Sequence, residues 1–281
     1  MDKNDVINKI REYMGNAKNF ITADASLSGD LVGMKIFEEP LVGFASADDS
    51  MFMELKKPEA IGPHFRAPGE WCINGKTVIS FFLPFTDQIK IANSRDLNWP
   101  ADEWLHGRIE GQSFLMDLCR FIVNELNCNG FEAIAPTIDE GFWARERANQ
   151  GENPNIKYTS NWSERHVAFV CGLGTFGLSK GFITERGVAG RIGSVVTSLE
   201  LAGDKRKYND LYEYCTNCGA CLKNCPVNAI SFEKGKDHVP CGAFLNKTKI
   251  ICTPRYGCGK CQVKVPCENQ IPIRSKQDRK E

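Results

Sequence analysis

Nine of the 13 cysteines in this 281-residue chain lie after residue 214, and their spacing restricts the fold more than any other feature. The run Cys215-x2-Cys218-x2-Cys221-x3-Cys225-Pro226 sets three thiolates around one iron–sulfur cubane. In two-cluster ferredoxins the fourth cysteine of such a run, the one before proline, ligates the other cluster. Two four-iron four-sulfur clusters are therefore expected. Five further cysteines are candidates for the remaining four ligand positions. Cys215, Cys218, Cys221 and Cys267 are assigned to the first cluster, and Cys225, Cys241, Cys258 and Cys261 to the second, with Cys252 as the spare that could replace one of them. The competing reading is a zinc ribbon, which needs only four ligands and leaves five cysteines idle.

The rest of the composition describes an ordinary globular chain. Thirty-five basic residues balance 35 acidic ones, so the net field that draws a protein onto nucleic acid or anionic lipid is missing, and nucleic acid is not an expected partner. No apolar run reaches the ~18 residues of a membrane span. The N-terminus places Val6, Ile7, Ile10, Tyr13 and Met14 on one stripe with Asp2 and Asp5 near its start, an amphipathic helix and not an export signal. Clustered thiols without an export signal point to a reducing compartment, the cytoplasm.

The jump in cysteine density puts a boundary near residue 205, with residues 1–205 as an α/β cofactor and substrate domain and 206–281 as a ferredoxin-like domain. In the first, Thr77–Phe85 reads as a buried strand, Phe114 to Leu126 recur at helical spacing, and Phe131–Ala135 reads as another strand. Val167–Val170 and Ile192–Leu199 read as strands around a glycine-rich stretch, while Asn93–Gly107 and Glu140–Asn161 read as long connections. Mixed α/β is the expected class.

The stretch Gly172-x-Gly174-x-x-Gly177 after an apparent strand matches the dinucleotide fingerprint, so a flavin or nicotinamide site is one alternative. A wider set of residues resembles a known family. Glu164-Arg165, Gly172-Leu-Gly174, Gly193-Ser194 and Leu199-Glu-Leu201, followed by CTNCGACLKNCPVNA, a single Cys241 and Tyr256-Gly-Cys-Gly-Lys-Cys-Gln262, are similar to epoxyqueuosine reductases and, more distantly, to corrinoid-dependent reductive dehalogenases. The resemblance covers about residues 155 to 270.

That resemblance implies a nitroreductase-like α/β domain holding a cobalamin beside two clusters that feed it electrons, a reductase acting on a small molecule, and a redox donor such as ferredoxin or flavodoxin. It implies cofactor contacts from Glu164, Arg165, Gly172, Gly174, Gly177, Gly193 and Ser194, the glycines admitting the corrin edge. Where epoxyqueuosine reductases carry an aspartate as proton donor, counting back reaches Tyr158; reductive dehalogenases use a tyrosine. A tyrosine hydroxyl near its usual pKa of ~10 donates only to strongly basic intermediates. The chain stops at Glu281 without the helical-repeat domain of the tRNA-acting enzymes, and Cys261-x5-Cys267 is longer than the family's spacing. The rival from another class is an electron carrier whose N-terminal domain only docks partners.

His106 and His166 invite metal or catalytic roles, but the displaced-base arrangement implied by the resemblance uses no histidine, so hydrogen bonding is expected of both; His64 and His238 carry no assignment. Trp71, Trp99, Trp104, Trp143 and Trp162 read either as a lid over a flat cofactor or as packing.

Overall fold

The computed structural model describes residues 1–146 and 158–273. Its centre is a four-stranded antiparallel sheet in the order Leu41–Ser46, Thr77–Pro84, Gly190–Thr197, Ala133–Ile134. Every residue of Thr77–Pro84 is buried, because both faces of the sheet are covered, which explains an apolar run without alternation. On one face Ile79, Phe81, Leu83 and Val195 pack with Phe114, Leu118, Ile122 and Leu126 of the long helix Asp102–Cys128 and with Val6 and Ile10 of the N-terminal helix Lys3–Tyr13. On the other, Val78 and Val196 meet Val167, Val170 and Trp162. Each such aliphatic contributes roughly 1.5–3 kcal/mol by leaving water.

The N-terminal helix is capped as its sequence implies. Asp2 accepts from the Asp5 amide and Asp5 accepts from the Asp2 amide, satisfying two donors that helix geometry orphans.

Two expectations are corrected. Val167–Val170 is not a strand: Glu164–Val170 is a helix, wedged against the sheet so that Val167, Ala168, Phe169 and Val170 are all buried. A short, uniformly apolar run fits a buried helix as well as a strand, and Glu164 in the first turn favours the helix dipole. The glycine stretch therefore follows a helix, and the main sheet is antiparallel, so the strand–turn–helix context of a dinucleotide fingerprint is absent there. Nor is Asn93–Gly107 one long loop. The helix Asp87–Arg95 runs into its start and Asp102–Cys128 into its end, leaving a six-residue link across Asn98, Trp99 and Pro100. Of Glu140–Asn161, the strands Ala144–Glu146 and Tyr158–Ser160 pair as a short ribbon, and residues 147–157 lie outside the described residues.

The cysteine-rich segment has little regular structure: a one-turn helix at Ala220–Lys223, a two-residue ribbon pairing Ile230–Ser231 with Gly235–Lys236, and the helix His238–Ile251. It lies against the α/β part through Val263 in the main core and through Val265, which packs with Ile183 and Val188. Polar ties reinforce this. Arg255, 8% exposed, donates from Nε and Nη2 to the Glu110 carboxylate at 2.6–3.2 Å. Lys260, fully buried, donates to the carbonyl and side-chain oxygens of Asn93 at 2.7 and 2.6 Å. Among the described residues no helix is long and apolar enough to cross a membrane.

Candidate iron–sulfur and cofactor site

None of the 13 cysteines is in a disulfide. Cys215, Cys218, Cys221 and Cys267 line one small hollow, together with Leu178 and Ser179 from the turn after Gly174–Phe176 and with Pro266 and Pro272. Cys225, Cys241, Cys258 and Cys261 line a second, of about 290 Å³. Burial, with repulsion from neighbouring thiols, pushes Cys221 and Cys267 up to about 12, and burial does the same to Cys258. At neutral pH these sulfurs give up their protons only to a cation that replaces them. Among the described residues no three cysteine, histidine or carboxylate side chains converge as a single ion requires. Backbone and side-chain donors already face the sulfurs: Leu178 N–H to Cys215 at 3.4 Å, Ala229 N–H to Cys225 at 3.2 Å and Lys236 Nζ to Cys261 at 3.4 Å. Cys252, at the end of the helix His238–Ile251, stands apart beside Trp99 and Asp102.

The local chain geometry serves this placement. Gly259, inside Cys258-Gly-Lys-Cys261, has φ +68°, and a Cβ there would overlap the Trp104 indole at 2.0 Å. Gly174 is held just as tightly, its missing Cβ lying 2.0 Å from the Ile183 carbonyl oxygen in the ribbon Gly174–Phe176 with Phe182–Thr184. The smallness of Gly174 is therefore used by the chain itself, and Gly177 meets the Ile183 side chain at 3.1 Å. Gly172 turns the chain out of its helix at φ +83°. Gly193 sits in the central sheet against Phe81 and Leu115.

Glu164 and Arg165 point different ways. Glu164 turns inward, where Ser194 donates to Oε2 at 2.6 Å and Trp162 Nε1 donates to Ser194 at 3.0 Å; Oε1 is buried without a partner. Burial pushes its carboxyl up to about 7. Arg165 faces the second hollow and donates to the Lys180 carbonyl. Tyr158, 45% exposed, lies 6.2 Å from the His238 ring, with its hydroxyl over Gly242, the residue after Cys241.

His106, His166 and His64 each make side-chain hydrogen bonds. His106, fully buried, accepts from the Leu27 amide at Nε2 (3.1 Å) and pairs through Nδ1 with Glu110 (3.0 Å). Burial, with Arg165 nearby, pushes His166 down to about 4, and Ser163 pairs with its Nδ1. His64 bonds Thr159 at 2.7 Å. Trp71, Trp104 and Trp162 are buried core residues, Trp99 packs edge-on against Phe244, and Trp143 lies beside His64.

Residues that sequence reasoning missed surround the second hollow: Arg108, Arg191, Lys236, Lys260 and Gln262. Arg108 Nε, Arg191 Nε and Gln262 Oε1 are buried without partners. Lys260 was visible between Cys258 and Cys261, but nothing in the pattern marked Arg108 or Arg191, which only the folded chain brings there.

Fold and site together define a mixed α/β sheet domain that carries, on one side, a segment with two sets of four cysteines, and this arrangement is similar to that of epoxyqueuosine reductases and reductive dehalogenases. The family model for a 4Fe-4S binding domain matches residues 210–231. An epoxyqueuosine reductase of Francisella cf. novicida (strain Fx1) is 34% identical over 128 residues, 41% of this chain and 34% of that one. The chain thus aligns with about a third of that relative's length. Among solved structures, a catabolic reductive dehalogenase superposes with a TM-score of 0.52 at 12% identity, over 96% of this chain and 37% of that one, which shows the shared fold. An epoxyqueuosine reductase solved with an epoxyqueuosine-modified tRNA stem loop covers 85% of this chain and 64% of its own, at 18% identity and a TM-score of 0.49.

Proposed function

We propose that this chain is a reductase that passes single electrons through two four-iron four-sulfur clusters to a bound corrinoid, which reduces a small organic substrate. The carrying observation is that eight of the nine C-terminal cysteines gather as two fours, one of them opening onto a hollow walled by the α/β domain. The domain boundary near residue 205 goes with this reading, as does a cytoplasmic, reducing location for a chain whose cysteines form no disulfide.

The second hollow, about 290 Å³, would be filled by the inner cluster, so a corrinoid would lie beside it with only its rim reaching the wall of Arg108, Arg191 and Gln262. A corrin rim carries amides, and the unpartnered Arg108 Nε, Arg191 Nε and Gln262 Oε1 offer two donors and an acceptor to such a rim. Arg165 adds further donors from the same wall. When bound, reduced cobalt would supply a strong nucleophile or electron donor. The chain's own part would be to hold that rim and to exclude water with Phe85, Trp104 and Phe244, while Tyr158, beside Gly242 and outside the residues that line the hollow, is the proposed proton donor at its margin. Gly172, Gly174 and Gly177 shape the turn and ribbon leading to Leu178 and the first thiol set, a supporting role rather than a corrin cradle.

Iron and cobalt analysis of protein purified without oxygen, with cobalamin titrated against tryptophan fluorescence, tests the reading. Both metals and a saturable quench are expected; iron alone with no quench would leave an electron carrier that docks a partner. Tyr158→Phe should abolish turnover with cluster absorption intact, and undiminished turnover removes Tyr158 from the chemistry. A ferredoxin or flavodoxin is the expected donor. Reduction of a free small substrate is expected; activity only on an intact tRNA would move the substrate to the nucleic-acid side.

A further inference from the structure

The two thiol sets differ sharply in their electrostatic surroundings. The hollow of Cys225, Cys241, Cys258 and Cys261 is lined by five cations, Arg108, Arg165, Arg191, Lys236 and Lys260, and by no carboxylate. That of Cys215, Cys218, Cys221 and Cys267 is lined, among the described residues, by no charged side chain at all. The cations keep their charge to offer. Lys260 donates to Asn93, and Asp96, which acts on it electrostatically, accepts from the Asn98 amide; Arg191 donates to the Arg108 carbonyl at 2.7 Å, Arg108 lies 4.2 Å over the Tyr256 ring, and Lys236 points its ammonium at Cys261. The nearby acids are engaged elsewhere: Glu110 with Arg255 and His106, and Asp237 with the Val239 amide.

Taking the two clusters of the proposed function as given, we propose that the chain orders them in potential by charge, the cationic wall making the inner cluster the easier to reduce. A cubane with four thiolates is an anion that gains one further negative charge on reduction, so fixed cations in a low-dielectric wall favour the reduced form. Hydrogen bonds to the sulfurs act in the same direction, and the lysine donor falls on the inner set. The route is laid out accordingly. Cys218 of the outer set is exposed, where a one-electron carrier such as reduced ferredoxin or flavodoxin can approach. Cys221 of that set lies within electrostatic reach of Cys261 of the inner one. The carrier is oxidised by one electron as the outer cluster is reduced; the outer cluster then returns to its oxidised state as the inner cluster is reduced. No bond is made or broken. The electron therefore arrives beside Arg108, Arg165 and Arg191, where the proposed substrate chemistry lies.

The test is a potentiometric titration of the full, anaerobically reconstituted chain, followed by electron paramagnetic resonance. Two one-electron waves are expected. Lys236→Met and Arg191→Gln should each lower the higher-potential wave and leave the lower one in place, and Lys236→Arg should restore it. Shifts confined to the lower wave, equal in both, or absent overturn the proposal. Should Lys236→Met fail to hold iron, Arg191→Gln reads the same wave without touching a sulfur. Iron and sulfide content separates the two levels: a chain without two clusters fails the functional reading, whereas two loaded clusters with unmoved potentials fail this inference alone.

Discussion

The α/β part and the cysteine segment of this protein are held together by different physics. The first closes on itself: its sheet is covered on both faces by apolar side chains, and its long helix alone buries Phe114, Leu115, Leu118, Ile122 and Leu126. The second, from Cys215 on, buries only Ala229, Ile230, Phe244, Val263 and Val265 among its apolar residues. So small an apolar content does not offset the entropy of ordering some fifty residues, and metal–thiolate bonds must supply the difference. The lesson is that one region should survive without iron and the other should not.

Removing a ligand should have the largest effect. Cys258→Ala is expected to lose about half the iron and all amide protection in the helix His238–Ile251, while the strands Thr77–Pro84 and Gly190–Thr197 stay protected in hydrogen exchange. Cys252→Ala should keep all its iron. Equal loss of protection in both regions would erase the contrast.

The joint between the regions comes next. Burial pushes the Glu110 carboxyl up, but hydrogen bonds from His106 and Arg255 outweigh it and hold it below the usual range. Arg255→Met strands that carboxylate and should cost roughly 3 to 4 kcal/mol in denaturant unfolding. A loss within error would show that the segment is anchored by Val263 and Val265 alone.

Within the α/β part, Glu164 sets a pH dependence. Its folded value of about 7 lies above the unfolded one of about 4.3, so its contribution is whole below pH 4.3. It is lost as pH rises from about 4.3 toward 7, on the order of 3 to 4 kcal/mol. His166, held near 4 against an unfolded 6.5, works oppositely, weakening the fold as pH falls from 6.5 to 4. The difference between wild type and Glu164→Gln isolates the first: the variant should gain relative stability between pH 5 and 8, and parallel curves would refute it. Smallest is Ser194→Ala, which strands Trp162 Nε1 and should cost about 1 to 2 kcal/mol in thermal unfolding.

The same contrast governs what could be read from sequence. Cysteine spacing is a covalent-scale constraint, so the segment that the 4Fe-4S family model matches could be read from the spacing alone. Thr77–Pro84 was legible because a strand buried on both faces must be apolar throughout. The helix Glu164–Val170 was not, since seven residues enclosed on all sides show no periodicity to separate helix from strand. The helix start at Asp102 was hidden because His106, Gly107 and Gly111 are buried beside Trp104 and Leu105, blurring its stripe. The cationic wall was invisible for another reason: Arg108, Arg191 and Lys236 come from three distant segments that only tertiary packing joins.

The most direct measurement is the iron and acid-labile sulfide content of the full chain, purified and reconstituted without oxygen, with Mössbauer spectra of the product. Two cubanes predict about eight irons and eight sulfides per chain, all in four-iron sites. Bound zinc without sulfide, or a single four-iron cluster at full loading, would contradict the account.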